Sequence, residues 1–102
     1  MRPNTSTNQQ PSVTSFALGQ TYVTPGAEDA LMIAGQTGIE FLRRHMSCDW
    51  SELTTDDAQE NELSLKEGFR VLSAYRTAKG QKLWIITEAD RSSTTILLPS
   101  EY

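Results

Sequence analysis

The last third of the chain leaves few choices of fold. Three runs rich in β-branched and aromatic residues follow one another from Phe69 onward, at residues 69–77, 83–87 and 94–98, and Pro99 closes the last. Lys79-Gly80 supplies a hairpin turn between the first two, and the polar stretch 88–93 makes a corner before the third. Links this short exclude parallel pairing, which needs a crossover of a dozen or more residues, so the three strands form an antiparallel meander. In the first run Arg70 and Arg76 share one parity while Phe69, Val71 and Tyr75 share the other, a polar-out, apolar-in pattern. The apolar face has to be covered, and the rest of the chain must supply the cover.

The upstream signals are mostly helical. Phe16, Leu18 and Tyr22 alternate with smaller or polar residues, which predicts a short strand over 15–22. Thr24 followed by Pro25 reads as an N-cap with proline at the first helical position, Glu28 and Asp29 occupy the first turn, and Gly35 supplies the stop. Thr37 and Glu40 fit a capping box for a second helix to about Ser47, whose Ile39, Leu42 and Met46 fall on one face. After a turn anchored by Trp50 and Leu53, Thr54 or Thr55 caps a third helix with Asp56 and Asp57 in its first turn and Gly68 just past its end. Its apolar residues Ala58, Leu63 and Leu65 define only a narrow stripe. The expected class is therefore α+β: three short helices on an antiparallel sheet of the three meander strands, joined by an N-terminal strand. Residues 1–14, with Pro3, Pro11 and many amides and hydroxyls, are expected to form a disordered tail, leaving 15–102 as a single domain, an expectation that suits a chain of 102 residues.

Charge is distributed unevenly. Residues 1–47 balance, 48–68 carry seven acids against Lys66 for a net of −6, and 69–102 carry a net of +2. The acidic positions Asp49, Glu52, Asp56, Asp57 and Glu60 form a candidate partner-binding face, suited to a basic protein surface and repelled by nucleic acid phosphate. No run of about 20 apolar residues could span a membrane, and no apolar stretch near the N-terminus resembles a secretory signal. With Cys48 as the one cysteine, no intramolecular disulfide is available, and a cytoplasmic location is expected.

Catalytic groups are scarce. His45 and Cys48 are three residues apart and could be neighbours on a helix, but Asp49 beside Cys48 disfavours a thiolate. One histidine and one cysteine cannot make a zinc-binding pattern, and no Gly-rich phosphate loop is present, so no metal and no cofactor is expected. A polar corner comprising Arg76, Glu88, Asp90 and Arg91 mixes acid and base at a strand connection, where turn chemistry explains the residues as well as function does. Arg70, Arg76, Lys82 and Trp84 could share a sheet face and stack on a single strand of nucleic acid, although the parity of the strands favours packing for most aromatics.

Several segments carry a family resemblance: 23–27 (Val-Thr-Pro-Gly-Ala), 41–45 (Phe-Leu-Arg-Arg-His), Asp49-Trp50, Asn61-Glu62, 72–76 (Leu-Ser-Ala-Tyr-Arg) and 84–92 (Trp-Ile-Ile-Thr-Glu-Ala-Asp-Arg-Ser). From Phe16 to Tyr102 the chain resembles a family of small bacterial proteins labelled plasmid-related or, in some cases, type I restriction system subunits. The resemblance implies association with mobile genetic elements and brings no established activity. It also implies that glycine is usual at the position of Cys48, which argues against a catalytic thiol there. Small size, the acidic helix and the lack of a catalytic set together lead to the expectation of a non-enzymatic protein-interaction module, with an inhibitor of a host defence system such as CRISPR or restriction as its specific form. The alternative is a nucleic-acid-binding accessory factor using the basic sheet face. A third reading is an enzyme combining His45 with the polar corner, which requires those groups to converge within hydrogen-bond reach.

Overall fold

A computed structural model describes residues 15–102; the tail expected over 1–14 lies outside the described residues. The order of elements is β1 (Gln20–Val23), α1 (Pro25–Ala34), α2 (Gly38–Met46), α3 (Thr55–Glu67), β2 (Val71–Arg76), β3 (Lys82–Thr87) and β4 (Ser93–Leu97), followed by a 3-10 turn at Pro99–Glu101. The fold is α+β, and the three C-terminal strands form the antiparallel meander. The N-terminal strand joins the sheet beside β4, giving the order β1-β4-β3-β2. Its pairing with β4 is parallel, a direction open to it because all of α1, α2, α3, β2 and β3 lie between the two strands.

The strand expected over 15–22 is shorter than its alternation suggests. Gly19 sits at φ 67, in the left-handed region, and a side chain there would run into the Ser92 carbonyl, so the chain bends at Gly19 and pairing begins at Gln20. Phe16 and Leu18 serve the core from an irregular segment instead. Phe16 N donates to Met46 O at 3.1 Å, and Leu18 O accepts from the Thr94 hydroxyl at 2.7 Å.

Local chemistry accounts for the helix ends. Thr24 and Thr54 each accept from a backbone N–H of the first turn, Ala27 N at 3.3 Å and Asp57 N at 3.1 Å, and Gly35 and Gly68 end α1 and α3 in the left-handed conformation. The capping box expected at Thr37 does not form. Thr37 makes no side-chain cap, because Glu40 accepts from Gln36 Nε2 at 2.8 Å while Gln36 Oε1 accepts from Ala78 N at 2.8 Å, tying the α1–α2 link to the hairpin turn.

The core lies between one sheet face and the helices. Val71, Ser73 and Tyr75 of β2, Leu83, Ile85 and Thr87 of β3, and Thr94 and Ile96 of β4 all point inward and are buried, meeting Ala27, Ala30 and Leu31 of α1 and Phe41 of α2. The face predicted for α2 needs correction. Ile39 is exposed, and the buried stripe runs through Phe41 and His45, one helical turn apart, because His45 finds hydroxyl partners in the sheet. α3 packs beside β2, the sheet's outer strand, through a single buried polar residue. Asn61 Nδ2 donates to Leu72 O at 2.8 Å and Asn61 Oδ1 accepts from Leu72 N at 3.2 Å, so the side chain pairs with the strand edge as another strand would.

Candidate functional site

The acidic segment separates into two groups. Asp49 and Glu52 lie in the turn after α2 and grip Arg44: Arg44 Nε lies 2.7 Å from Asp49 Oδ2 and Nη2 lies 3.1 Å from Glu52 Oε2. The same guanidinium lies over the Tyr75 ring, 4.4 Å from its centroid, and the Tyr75 hydroxyl donates to Asp49 O at 2.8 Å. Hydrogen bonds from Ser51, with Arg44 beside them, hold the Asp49 carboxyl below the usual range. Glu52 also accepts from Arg76 N at 3.0 Å. These two acids fasten a turn to the sheet, and Glu62 is likewise engaged, accepting from Trp50 Nε1 at 2.9 Å.

Asp56, Asp57 and Glu60 stand differently. At 100° per residue, Asp56, Glu60, Leu63 and Glu67 form one stripe along α3, opposite the side that buries Asn61, and Asp57 flanks it. All five are exposed, Leu63 at 52%. None of the four acids takes part in an ion pair among the described residues, whose three salt bridges involve Arg44 and Arg70. The outcome is an apolar side chain framed by uncompensated carboxylates on a regular helix.

The polar corner does not converge. Arg76 is at the far end of β2 from Glu88, with Nη1 donating to Gly80 O at 2.9 Å. Glu88 pairs with Arg70 at 3.3 Å, and Asp90 Oδ1 accepts from Ser92 N at 3.0 Å in a side-chain-stabilised turn, bonds to Ser92 that hold its carboxyl below the usual range. Arg91, at φ 62, turns its guanidinium onto backbone carbonyls: Nη1 donates to Phe69 O at 2.8 Å, Glu88 O at 3.0 Å and Ala89 O at 3.1 Å, and Nη2 to Ser64 O at 3.2 Å. Of the bases proposed for a nucleic-acid platform, Arg70 is thus committed to Glu88 and to the Tyr102 hydroxyl at 3.1 Å, and Trp84 packs edge-on against Tyr102 with ring centroids 5.7 Å apart.

His45 lies elsewhere, in a chain of buried hydroxyls. Its Nδ1 is 2.5 Å from Ser73 Oγ, its Nε2 is 2.8 Å from Thr87 Oγ1, and Thr87 Oγ1 is 2.7 Å from Thr94 Oγ1. Proton counting fixes every direction. The single Thr94 proton goes to Leu18 O, so Thr87 must donate to Thr94, and Nε2–H must then donate to Thr87. Nδ1 is left as the acceptor of the Ser73 hydroxyl in the neutral ring. Burial, followed by the charge of Arg91, pushes the His45 pKa down to about 3. Phe16 and Trp50 wall the ring edge-on, with centroids at 5.1 and 6.2 Å. This Ser-His pair is fully buried, and neither Glu88 nor Asp90 lies within its hydrogen bonds.

Sequence reasoning passed over this network, although it had a signal. Ser73, Thr87 and Thr94 occupy inward parity in strands whose other inward residues are aliphatic or aromatic, and three hydroxyls at core positions require a polar partner. Cys48 stands at φ 63, a conformation that favours glycine, and burial, then the charge of Glu62, pushes its thiol up to about 11. Among the described residues no three His, Cys, Asp or Glu side chains gather as metal ligands, and no helix is long and apolar enough to cross a membrane. The chain matches no family model, no curated protein and no solved structure.

Proposed function

We propose that this chain is a non-enzymatic protein-interaction module that docks the outward stripe of α3 on a basic surface of a partner protein. The observation that carries the reading is the division of the acidic segment: Asp49, Glu52 and Glu62 are consumed inside the molecule, whereas Asp56, Glu60 and Glu67 remain uncompensated in one stripe with exposed Leu63, and Asp57 is uncompensated beside it. An apolar anchor inside a charged rim is the usual anatomy of an interface, and the carboxylates favour encounter with a cationic surface while excluding phosphate. If the plasmid-related resemblance of the sequence holds, the partner is a nucleic-acid-binding protein of a host defence system in the cytoplasm, and the module acts by occupying its basic surface.

The test is affinity capture from a bacterial lysate with mass spectrometry, comparing the native chain with a triple variant Asp56→Lys, Asp57→Lys, Glu60→Lys. All three side chains are exposed, none forms an ion pair among the described residues, and the bonds of Asn61 to Leu72 involve none of them, so the variant is expected to fold. The expected result is loss of the captured partner with an unchanged circular dichroism spectrum. Recovery of the same partner by both proteins would place the interface elsewhere.

A further inference from the structure

The two edges of the sheet are treated in opposite ways. The ladder between β2 and β3 alternates so that Leu72, Ala74 and Arg76 turn their backbone groups outward, since Thr77 N donates inward to Gln81 O at 2.9 Å. Asn61 occupies both outward groups of Leu72, and Glu52 occupies the Arg76 N–H. With Asn61 and Glu52 seated at its two ends, that edge is obstructed to another strand, although the outward groups of Ala74 between them are not taken among the described residues.

The β1 edge is open. Gln20 N donates to Ser92 O and Thr24 N to Ile96 O, both at 3.0 Å, so Gln20, Tyr22 and Thr24 face β4 while the N–H and C=O groups of Thr21 and Val23 point away from the sheet. These four groups have no partner among the described residues. The strand Gln-Thr-Tyr-Val carries no charge, all its residues are exposed, and Tyr22 is 56% exposed. An inward charge, a proline and a bulge are all absent from it, and its shortness, four residues, is its one edge protection.

From this asymmetry we infer that β1 is a strand-addition interface and that its occupant is β1 of a second copy, giving a continuous eight-stranded sheet across a two-fold axis. The register follows from the outward groups. Thr21 and Val23 flank Tyr22 symmetrically, so antiparallel pairing with the axis through Tyr22 sets Thr21 opposite Val23 of the second copy. All eight outward groups are then used in four main-chain hydrogen bonds. Tyr22 meets its own copy at the non-hydrogen-bonded position, where side chains are closest. On the helix side, a cleft of about 250 Å³ lined by Val23, Leu31, Met32 and Gly38 leaves room for the Thr21 side chain that this register sets opposite Val23. Most of the charge behind the net −4 lies away from the seam. The acids of α3 lie beside β2, three strand spacings or about 14 Å from β1, beyond the screening length of about 8 Å in physiological salt, whereas Glu28 of α1 lines the cleft and brings one exposed carboxylate per copy near the seam, which makes the dimer tighter as salt is raised.

Sedimentation equilibrium over a wide concentration range tests the assembly. The expected result is a reversible dimer whose dissociation constant rises at least roughly tenfold in Tyr22→Lys, which sets two like charges opposite one another, and in Thr21→Pro. The latter removes an outward N–H that the β1–β4 ladder does not use, so the fold is retained. The triple lysine variant of α3 dimerises normally, which separates this interface from the acidic one. Register is read by oxidative cross-linking in a Cys48→Ser background. Tyr22→Cys cross-links to itself, because Cα atoms at that position are about 4.5 Å apart, whereas Val23→Cys is too far from its copy to bridge. A monomer at every concentration, a dimer indifferent to both substitutions, cross-linking through position 23 instead of 22, or a monomer whose β1 takes up a strand of another protein would each overturn the inference.

Discussion

Acidification should destabilise this protein through one buried side chain. His45 is neutral in the folded chain, with its pKa pushed down to about 3 by burial and by Arg91, whereas an unfolded histidine titrates near 6.5. Between those values the unfolded state binds one proton more than the native state, so stability is complete above about pH 6.5 and falls as the pH drops towards 3. The slope approaches about 1.4 kcal/mol per pH unit, and the loss from pH 7.5 to 4.5 amounts to about 2.5 kcal/mol. For a domain whose total stability is of order 5–15 kcal/mol, that is a substantial fraction. The structural reason is that the imidazole is inside a closed donor chain. Protonating Nδ1 would turn the acceptor of the Ser73 hydroxyl into a second donor inside a fully buried ring environment. Urea unfolding at pH 7.5, 6.0 and 4.5 measures the slope, and His45→Gln provides the reference. The variant is less stable at pH 7.5 and flatter across the window, and the carboxylates held low by their hydrogen bonds, Asp49, Asp90 and Glu101, cancel in the comparison. Parallel pH profiles for the two proteins, or a His45 ring resonance that titrates near pH 6.5, would refute the reasoning.

Two further outcomes follow from single side chains. Asn61→Ala strips both partners from the Leu72 backbone at the β2 edge and should cost about 1–3 kcal/mol in chemical denaturation, with an increased tendency to aggregate through the uncovered edge; unchanged stability would mean that water replaces Asn61 without penalty. Cys48, with its thiol pushed up to about 11, should alkylate with iodoacetamide at pH 7.5 far more slowly than the same residue in denaturant, and equal rates would contradict its burial and its proximity to Glu62.

Much of the fold could be read locally. Thr24, Thr54, Gly35 and Gly68 mark helix ends by mechanisms that act within one turn, and the alternation in β2, β3 and β4 assigns inward and outward faces residue by residue. What escaped depends on contacts between distant segments. Nothing near Gln20 announces that its partner is Ser93 in parallel, and nothing near Ile39 announces that α2 will turn His45 inward to meet hydroxyls from two strands. The acidic face was legible as composition but not as geometry. Asp49 and Glu52 look like Asp56 and Asp57 in the sequence, and only the placement of Arg44 and the Arg76 backbone separates acids that hold the fold from acids that face solvent. For the polar corner, the strand length alone carried Arg76 away from Glu88, because residues that bracket a strand emerge at its opposite ends.

The parallel pairing of β1 with β4 bears on how the molecule is made. The meander joins neighbours in sequence and can zip up as soon as its own residues are available. β1 has no such neighbour, so while the ribosome is still synthesising the middle of the protein this strand waits for Thr94 and Ile96. The waiting ends further on, when Glu101 takes the Thr24 hydroxyl at 2.5 Å and the Gly26 N–H at 3.0 Å and fixes the start of α1. Release of a chain stalled before Ser93 would leave a helix-and-hairpin fragment with β1 unpaired, a substrate for chaperones and proteases rather than a smaller version of the same fold.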